Sequence, residues 1–249
     1  MFSPSRTALI TGAASGIGAA IARRLADSGI TVICSDRDHP GAELVAEAIR
    51  AGGAEAAAVR LDIARPSDID DFAATEAPDG LDILVNAAGI VDTTPTSGLT
   101  RERYREVLDI DLNGSVELTL ALLPRLRRSA AGRILTIASI QGFRGTADSL
   151  SYATAKGGLV NFTRALAVDL APAGVLVNAL APGFIDTPMA VQADGTSEYD
   201  TDWFRDVYLT HGRLPLGRPG RADEVAAVAE FFVSPLNSYI TGQILAVDG

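Results

Sequence analysis

Tyr152 and Lys156 stand four residues apart in Tyr152-Ala153-Thr154-Ala155-Lys156, and Lys156 is the one lysine among 21 basic residues. On a helix that spacing puts both side chains on one face. A tyrosine hydroxyl ordinarily ionises near ~10, too high for efficient proton transfer at neutral pH, and an ammonium beside it favours the ionised form. Lysine brings a compact charge with three rotatable donors, whereas the planar fork of arginine cannot fill a point-like site. The pair reads as a proton-transfer couple. By itself it fits a solvated lysine on a helix surface equally well.

A second chemical signal lies near the amino end, where Thr11-Gly12-Ala13-Ala14-Ser15-Gly16-Ile17-Gly18 follows an apolar run and precedes an alanine-rich helical pattern. Glycines let the backbone turn tightly and approach a pyrophosphate, and a helix N-terminus directs unpaired N–H groups toward it. Gly12, Ser15, Gly16, Ile17 and Gly18 are therefore expected to hold a dinucleotide, although their spacing departs from G-x-G-x-x-G. Asp36 closes the second strand about twenty residues beyond the glycines, where a carboxylate accepts hydrogen bonds from the adenine-side ribose. It would also repel a 2′-phosphate, which favours NAD over NADP; adjacent Arg37 would pair with that phosphate in the opposite case. Asp62 and Ile63 after the third strand, and Asn86-Ala87-Ala88-Gly89 after the fourth, sit where the same cofactor would pass. Either segment also fits ordinary turn chemistry.

The elements that must position these residues follow an alternating rhythm. Short apolar runs at 7–11, 31–35, 56–61, 83–86, 134–138, 176–180 and 244–247 alternate with helical patterns at 17–28, 42–51, 66–75, 101–128, 151–170 and 222–232. This predicts an α/β fold: a Rossmann-type, doubly wound, seven-stranded parallel sheet with helices on both faces, in a single domain spanning 1–249. Residues 184–219 break the rhythm, rich in Pro, Gly and acidic residues and holding the only tryptophan, Trp203. A connection of that length reads as a substrate lid.

Composition narrows the partners. A net charge of −10 disfavours a nucleic-acid groove and adsorption to anionic membranes, and leaves a small molecule as the expected partner. The single cysteine, Cys34, rules out an intrachain disulfide and falls in an apolar run, as a buried thiol would. No apolar stretch reaches the ~18 residues of a membrane span, and a first strand at residue 7 leaves no room for a signal peptide. The expected compartment is the cytoplasm, and no metal site is expected.

Together, the Gly12/Gly16/Gly18 turn, the Asn86 to Gly89 turn, Asn113, Ser139, and Tyr152 with Lys156 resemble the motif set of the short-chain dehydrogenase/reductase family over nearly the whole chain. Pro182-Gly183-Phe184-Ile185-Asp186-Thr187 resembles the family's segment around the nicotinamide, so Pro182, Gly183, Ile185 and Thr187 join the expected cofactor contacts. Ala87 departs from the second asparagine many members carry. The resemblance implies NAD(P)-dependent interconversion of a secondary alcohol and a ketone. Tyr152 would be general acid for reduction and general base for oxidation, with Lys156 also bonding the nicotinamide ribose. Ser139 would hold the substrate oxygen, and Asn113 would hold a water linking Lys156 to solvent. Taken singly, Ser139 could be a cap and Asn113 beside Gly114 a helix kink. The resemblance also implies a homotetramer, and Gly157, Gly158, Ala165 and Ala167 are small enough for close approach of the helix that carries the catalytic pair.

Substrate choice is expected near Ser139 and in the lid. Ser139, Gln141, Arg144 and Tyr152 are the candidate contacts, with Asp148 also lying between the two catalytic positions, and polar side chains there would favour a small polyol, sugar-derived or hydroxy-acid substrate. The alternative is a 3-oxoacyl-carrier-protein reductase using NADPH, against which stand Asp36, the acidic chain, and Ala173 where those enzymes often carry arginine. A non-catalytic NAD-binding scaffold is the third reading, and retention of the full motif set weighs against it.

Overall fold

The computed structural model describes residues 6–192 and 194–249. Its strands are β1 (Thr7–Thr11), β2 (Thr31–Asp36), β3 (Ala56–Arg60), β4 (Leu81–Asn86), β5 (Arg133–Ile137), β6 (Leu176–Pro182), β7 (Ile185–Asp186), β8 (Gly220–Arg221) and β9 (Ile244–Val247). Seven of them form one parallel sheet in the order β3-β2-β1-β4-β5-β6-β9, while β7 and β8 pair separately. The expected seven-stranded doubly wound sheet is present, each strand within two residues of the predicted ends. Strand order reverses between β1 and β4, so the crevice outside their carboxyl ends is the place this topology reserves for a ligand.

The sheet is buried on both faces because successive residues of each strand point to opposite sides. Ala8 and Ile10 of β1 join a core with Val32, Cys34, Val85 and Leu135 beneath helices α1 (Gly16–Asp27), α2 (His39–Ala51) and, near the carboxyl end, Ala222–Val233. Leu9 points the other way, into a second core with Leu84, Ile134 and Val177 under α3 (Pro66–Thr75) and the helices Gly114–Leu126 and Leu150–Leu170. Cys34 is a fully buried thiol, pushed up to about 11 by desolvation, which matches its expected structural role.

The predicted helix at 101–128 is not continuous. It divides into α4 (Arg101–Leu108), a π turn at Asp109–Asn113 and α5 (Gly114–Leu126). Gly114 explains where α5 can begin, since a Cβ there would lie 2.4 Å from the carbonyl oxygen of Ile63. The remaining helices are α6 (Leu150–Leu170), a short α7 (Asp202–Phe204) continued by a π turn at Arg205–Thr210, and α8 (Ala222–Val233). The segment expected as a lid thus carries short helical turns, and its two ends are tied by the β7–β8 pair.

Candidate active site

At the carboxyl end of β1 the chain turns on Gly12 (φ 67°) and Gly16 (φ 55°), both in the left-handed region that glycine enters without strain. A Cβ at Gly12 would lie 2.8 Å from the Cα of Ala88, so the first turn and the turn after β4 meet backbone to backbone. Thr11 fastens the two strand ends further: its buried hydroxyl accepts the N–H groups of Ala87 (3.0 Å) and Ala88 (3.1 Å). Ser15 occupies the N-cap of α1 with extended backbone, and its exposed side chain makes no capping bond. The first turn of α1 is thereby left to an anionic ligand, and the glycine cradle, which a single Cβ would fill, fits a pyrophosphate. Thr187 approaches from the opposite side, 3.5 Å from where a Cβ of Gly16 would stand.

The flanking cofactor candidates fall around this turn. Asp36 ends β2, and its carboxylate accepts the N–H of Ala14 (3.1 Å) and of Asp38 (2.9 Å), which fixes it beside the glycine loop; Arg37 is exposed. Asp62 accepts the N–H of Ala64 and pairs with Arg65 at 3.4 Å, so part of its role is turn chemistry, while Ile63 is buried against Gly114. Asn86 is buried with its amide on the hydroxyl of Thr119 (2.9 Å) and its Oδ1 without a partner, a use that ties β4 to α5. Pro182 ends β6, Gly183 donates to the carbonyl of Val247, and buried Ile185 accepts the Tyr199 hydroxyl at 3.0 Å.

Tyr152 and Lys156 both lie on α6, as the four-residue spacing requires. Tyr152 is half-buried and Lys156 is buried, with Nζ 5.4 Å from the centroid of the tyrosine ring and 3.3 Å from the carbonyl oxygen of Ile137. The solvated-lysine reading is therefore excluded. Ser139, also buried, follows β5 and accepts the N–H of Gln141 at 3.1 Å, leaving its own proton to donate. It does cap the short turn Ile140–Gly142, so the structural and the chemical reading coexist.

Asn113 is the correction. It is exposed and gives its amide to the carboxylate of Asp109 at 2.8 Å, while the residue brought to Lys156 is Asp111, with Oδ2 3.2 Å from Nζ. Residues two apart on a helical backbone point about 200° apart, so only one of 111 and 113 can face the lysine. Asp111 is fully buried, and its Oδ1 accepts the N–H of Ile90 at 2.7 Å. Gly89 closes over the ion pair: a Cβ there would lie 3.1 Å from Asp111 Oδ2 and 3.2 Å from Lys156 Nζ. Burial alone would lower the lysine, and the charges of Asp111 and Tyr152 with the hydrogen bond to Asp111 more than offset it, so it stays above its ordinary value. Sequence reasoning missed Asp111. The available signal was that a lysine destined for burial requires a counter-charge, and Asp111 sits between apolar Ile110 and Leu112.

Beside Ser139 an open cleft of about 480 Å³ is bordered by Gln141, Phe143, Arg144, Asp148 and Leu150. Gln141 Oε1 is buried without a partner, whereas Arg144 is exposed and pairs with Asp248 at 3.3 Å. Within the segment after β6, Phe184, Tyr199, Phe204 and Tyr208 pack as an aromatic cluster, with Trp203 against Tyr208.

Known proteins resemble this chain over nearly its whole length. The family model described as enoyl-(acyl carrier protein) reductase matches residues 12–249. A 3-oxoacyl-(acyl-carrier-protein) reductase of Aquifex aeolicus is 38% identical over 98% of this chain and 96% of its own. The cis-4-hydroxycyclohexanecarboxylate dehydrogenase of Sinomonas cyclohexanicum is 40% identical over 98% of this chain and 95% of its own. A solved structure from Beutenbergia cavernae, assigned as an NAD(P)-dependent gluconate 5-dehydrogenase and holding NADP at low occupancy, superposes with a TM-score of 0.87 at 38% identity, covering 99% of this chain and 96% of the other. The chain belongs to the short-chain dehydrogenase/reductase family and is an oxidoreductase acting on CH–OH groups. Among the described residues, no helix is long and apolar enough to cross a membrane.

Proposed function

We propose that this chain is an NAD-dependent dehydrogenase that interconverts a small secondary alcohol and its ketone, with a polyol, sugar-derived compound or hydroxy acid as substrate. The observation that carries the reading is Lys156, buried on the same face of α6 as Tyr152 with its ammonium over the tyrosine ring. Tyr152 takes the hydroxyl proton during oxidation and returns it during reduction, and Ser139 holds the substrate oxygen by donating its hydroxyl. Gly12, Gly16 and Gly18 with the α1 N-terminus hold the pyrophosphate, and Asp36 takes the adenine-side ribose. When bound, the nicotinamide supplies the hydride acceptor or donor. Gln141 borders the cleft with its Oε1 buried and unpartnered, which supports a substrate with a second hydroxyl, and the neighbour assigned as a gluconate 5-dehydrogenase and the relative named for a hydroxycyclohexanecarboxylate support the same class. Residues 184–219 serve as the lid over it.

A second reading, a 3-oxoacyl-(acyl-carrier-protein) reductase using NADPH, is favoured by the Aquifex relative and by the NADP in the Beutenbergia structure. A screen of polyols, sugar acids, cyclic alcohols and 3-oxoacyl thioesters with both cofactors, followed by nicotinamide absorbance, separates the two. Turnover of alcohols with NAD supports the first, and turnover confined to thioesters with NADPH replaces it with the second. Tyr152→Phe should cost roughly 10²–10⁴ in kcat while cofactor affinity holds; full turnover in that variant refutes both.

We also infer a cytoplasmic homotetramer. The free thiol of Cys34 supports a reducing compartment. For assembly, Ala167 is buried inside the protomer, while Gly158 is partly exposed and lies against Leu112. Exposed Leu120 on α5 and exposed Val168 on α6, with exposed Ala165 one turn before it, support contact between copies. A monomer in light scattering removes this assignment.

A further inference from the structure

We propose that Asp111 is a positioning residue that makes the resting Tyr152–Lys156 couple electrically neutral, and so confines release of its catalytic proton to alkaline pH. The inference rests on the dehydrogenase reading above and concerns what governs the pH range of that chemistry. A tyrosine with a bare ammonium beside it starts at +1 and becomes neutral on losing a proton. With Asp111 included, the set starts neutral and becomes −1, and the Asp111–Lys156 part of it is buried beneath Gly89. Creating net charge in a desolvated site is costly, whereas removing it is favoured.

The geometry leaves Asp111 no other employment. Its side chain is 0% exposed, Oδ1 is held by the N–H of Ile90, and Oδ2 has no hydrogen-bond donor other than the ammonium 3.2 Å away. The π turn at Asp109–Asn113 aims it there, while Asp109 stays on the surface with Asn113. Strand β5 offers the carbonyl of Ile137, the turn 86–90 offers backbone only, and α6 offers Tyr152. The next charged pair, Asp92 with Arg103, is engaged at Ser151 rather than at the lysine. The charge balance is that of the three groups together, whether the departing proton is written on the tyrosine or on the lysine.

The test is the pH dependence of kcat/KM for alcohol oxidation in Asp111→Asn, using the substrate found in the screen and saturating NAD. The pH of half-maximal kcat/KM should fall by about one unit or more relative to wild type. Ketone reduction, which uses the proton-loaded form, should lose its alkaline tolerance by a similar amount. Coincident profiles, or a shift to higher pH, overturn the proposal. Should the variant fail to fold by circular dichroism, the ultraviolet tyrosinate signal of wild type minus Tyr152→Phe decides instead. Its appearance only in the alkaline range is expected, and its appearance at neutral pH overturns the role of Asp111. Unimpaired turnover in Tyr152→Phe would instead overturn the dehydrogenase reading, so the two failures are distinguishable.

Discussion

Gly18 and Gly12 touch through their backbones: a Cβ on Gly18 would lie 2.2 Å from the carbonyl oxygen of Gly12, closer than any real Cβ contact. That contact packs the first turn of α1 onto the turn that leaves β1, and no shift of a flexible side chain can relieve it. Gly18→Ala should therefore destabilise the fold by about 1–3 kcal/mol, as overpacking does elsewhere. For a chain of this length that is a fall in melting temperature of about 2–4 °C per kcal/mol. NADH titration should show weakened binding in the same variant, and unchanged melting with unchanged affinity would contradict the close packing.

Asp36 stands with its carboxylate fixed by two backbone N–H groups, so it cannot swing away from an incoming 2′-phosphate. Replacing it with alanine should move the ratio of kcat/KM for NAD over NADP toward NADP by roughly 10–100-fold, the equivalent of losing one close charge repulsion of about 1.4–2.8 kcal/mol. An unchanged ratio would show that cofactor choice is made elsewhere.

Asp92 is buried and accepts hydrogen bonds from Ser151, from Arg103 (2.9 Å) and from Thr94 (2.8 Å). Burial raises its carboxyl, but the bonds from Ser151, Arg103 and Thr94 and the charge of Arg103 outweigh this and hold it below the ordinary carboxylate range. A depressed carboxyl contributes stability that is present above its unfolded value of ~3.9 and lost as pH falls toward its folded value. Thermal melts from pH 6 down through that window should lose stability in wild type. Asp92→Asn should begin about 1–3 kcal/mol less stable and lose less with acid. Equal acid slopes in the two proteins would remove Asp92 from the account.

Trp203 is the only tryptophan in the chain and is 60% exposed, edge-on to Tyr208 at 5.5 Å. Closure of the segment over bound substrate should bury the indole and shift its emission to shorter wavelength. Steady-state fluorescence with cofactor alone, then with cofactor and substrate, measures this. A spectrum indifferent to substrate would mean that residues near Trp203 take no part in binding.

Much of the architecture was legible because both physical signals behind it are local. Strands buried on two faces read as short apolar runs, and Pro66 at the first turn of α3 marked a helix start that the structure keeps. The glycine turn and the Tyr152–Lys156 pair were legible for the same reason, since each is contiguous in sequence. What escaped was set by tertiary contact. The π turn adds no composition signal of its own, so the run at 101–128 looked like one helix, and the direction of Asp111 relative to Asn113 could not be read from it. Thr11 looked like the end of a strand, yet its hydroxyl serves two N–H groups across the sheet at Ala87 and Ala88. The pairing of Ile185 with Gly220 escaped too, because a two-residue strand buries too little to leave a periodic pattern.

That last pairing has a consequence for how specificity can be exchanged. Ile185 and Asp186 run parallel to Gly220 and Arg221, and Gly220 also donates its N–H to the carbonyl of Phe184, so the two ends of the intervening segment meet at a narrow neck. A loop with joined ends behaves as a cassette. Its interior can be shortened, lengthened or transplanted from a relative while the neck hands β6 and α8 the same entry and exit points. One tie from the interior crosses back to the chain end after β9, where Leu216 donates its N–H to the carbonyl of Gly249, and an exchanged segment has to keep it.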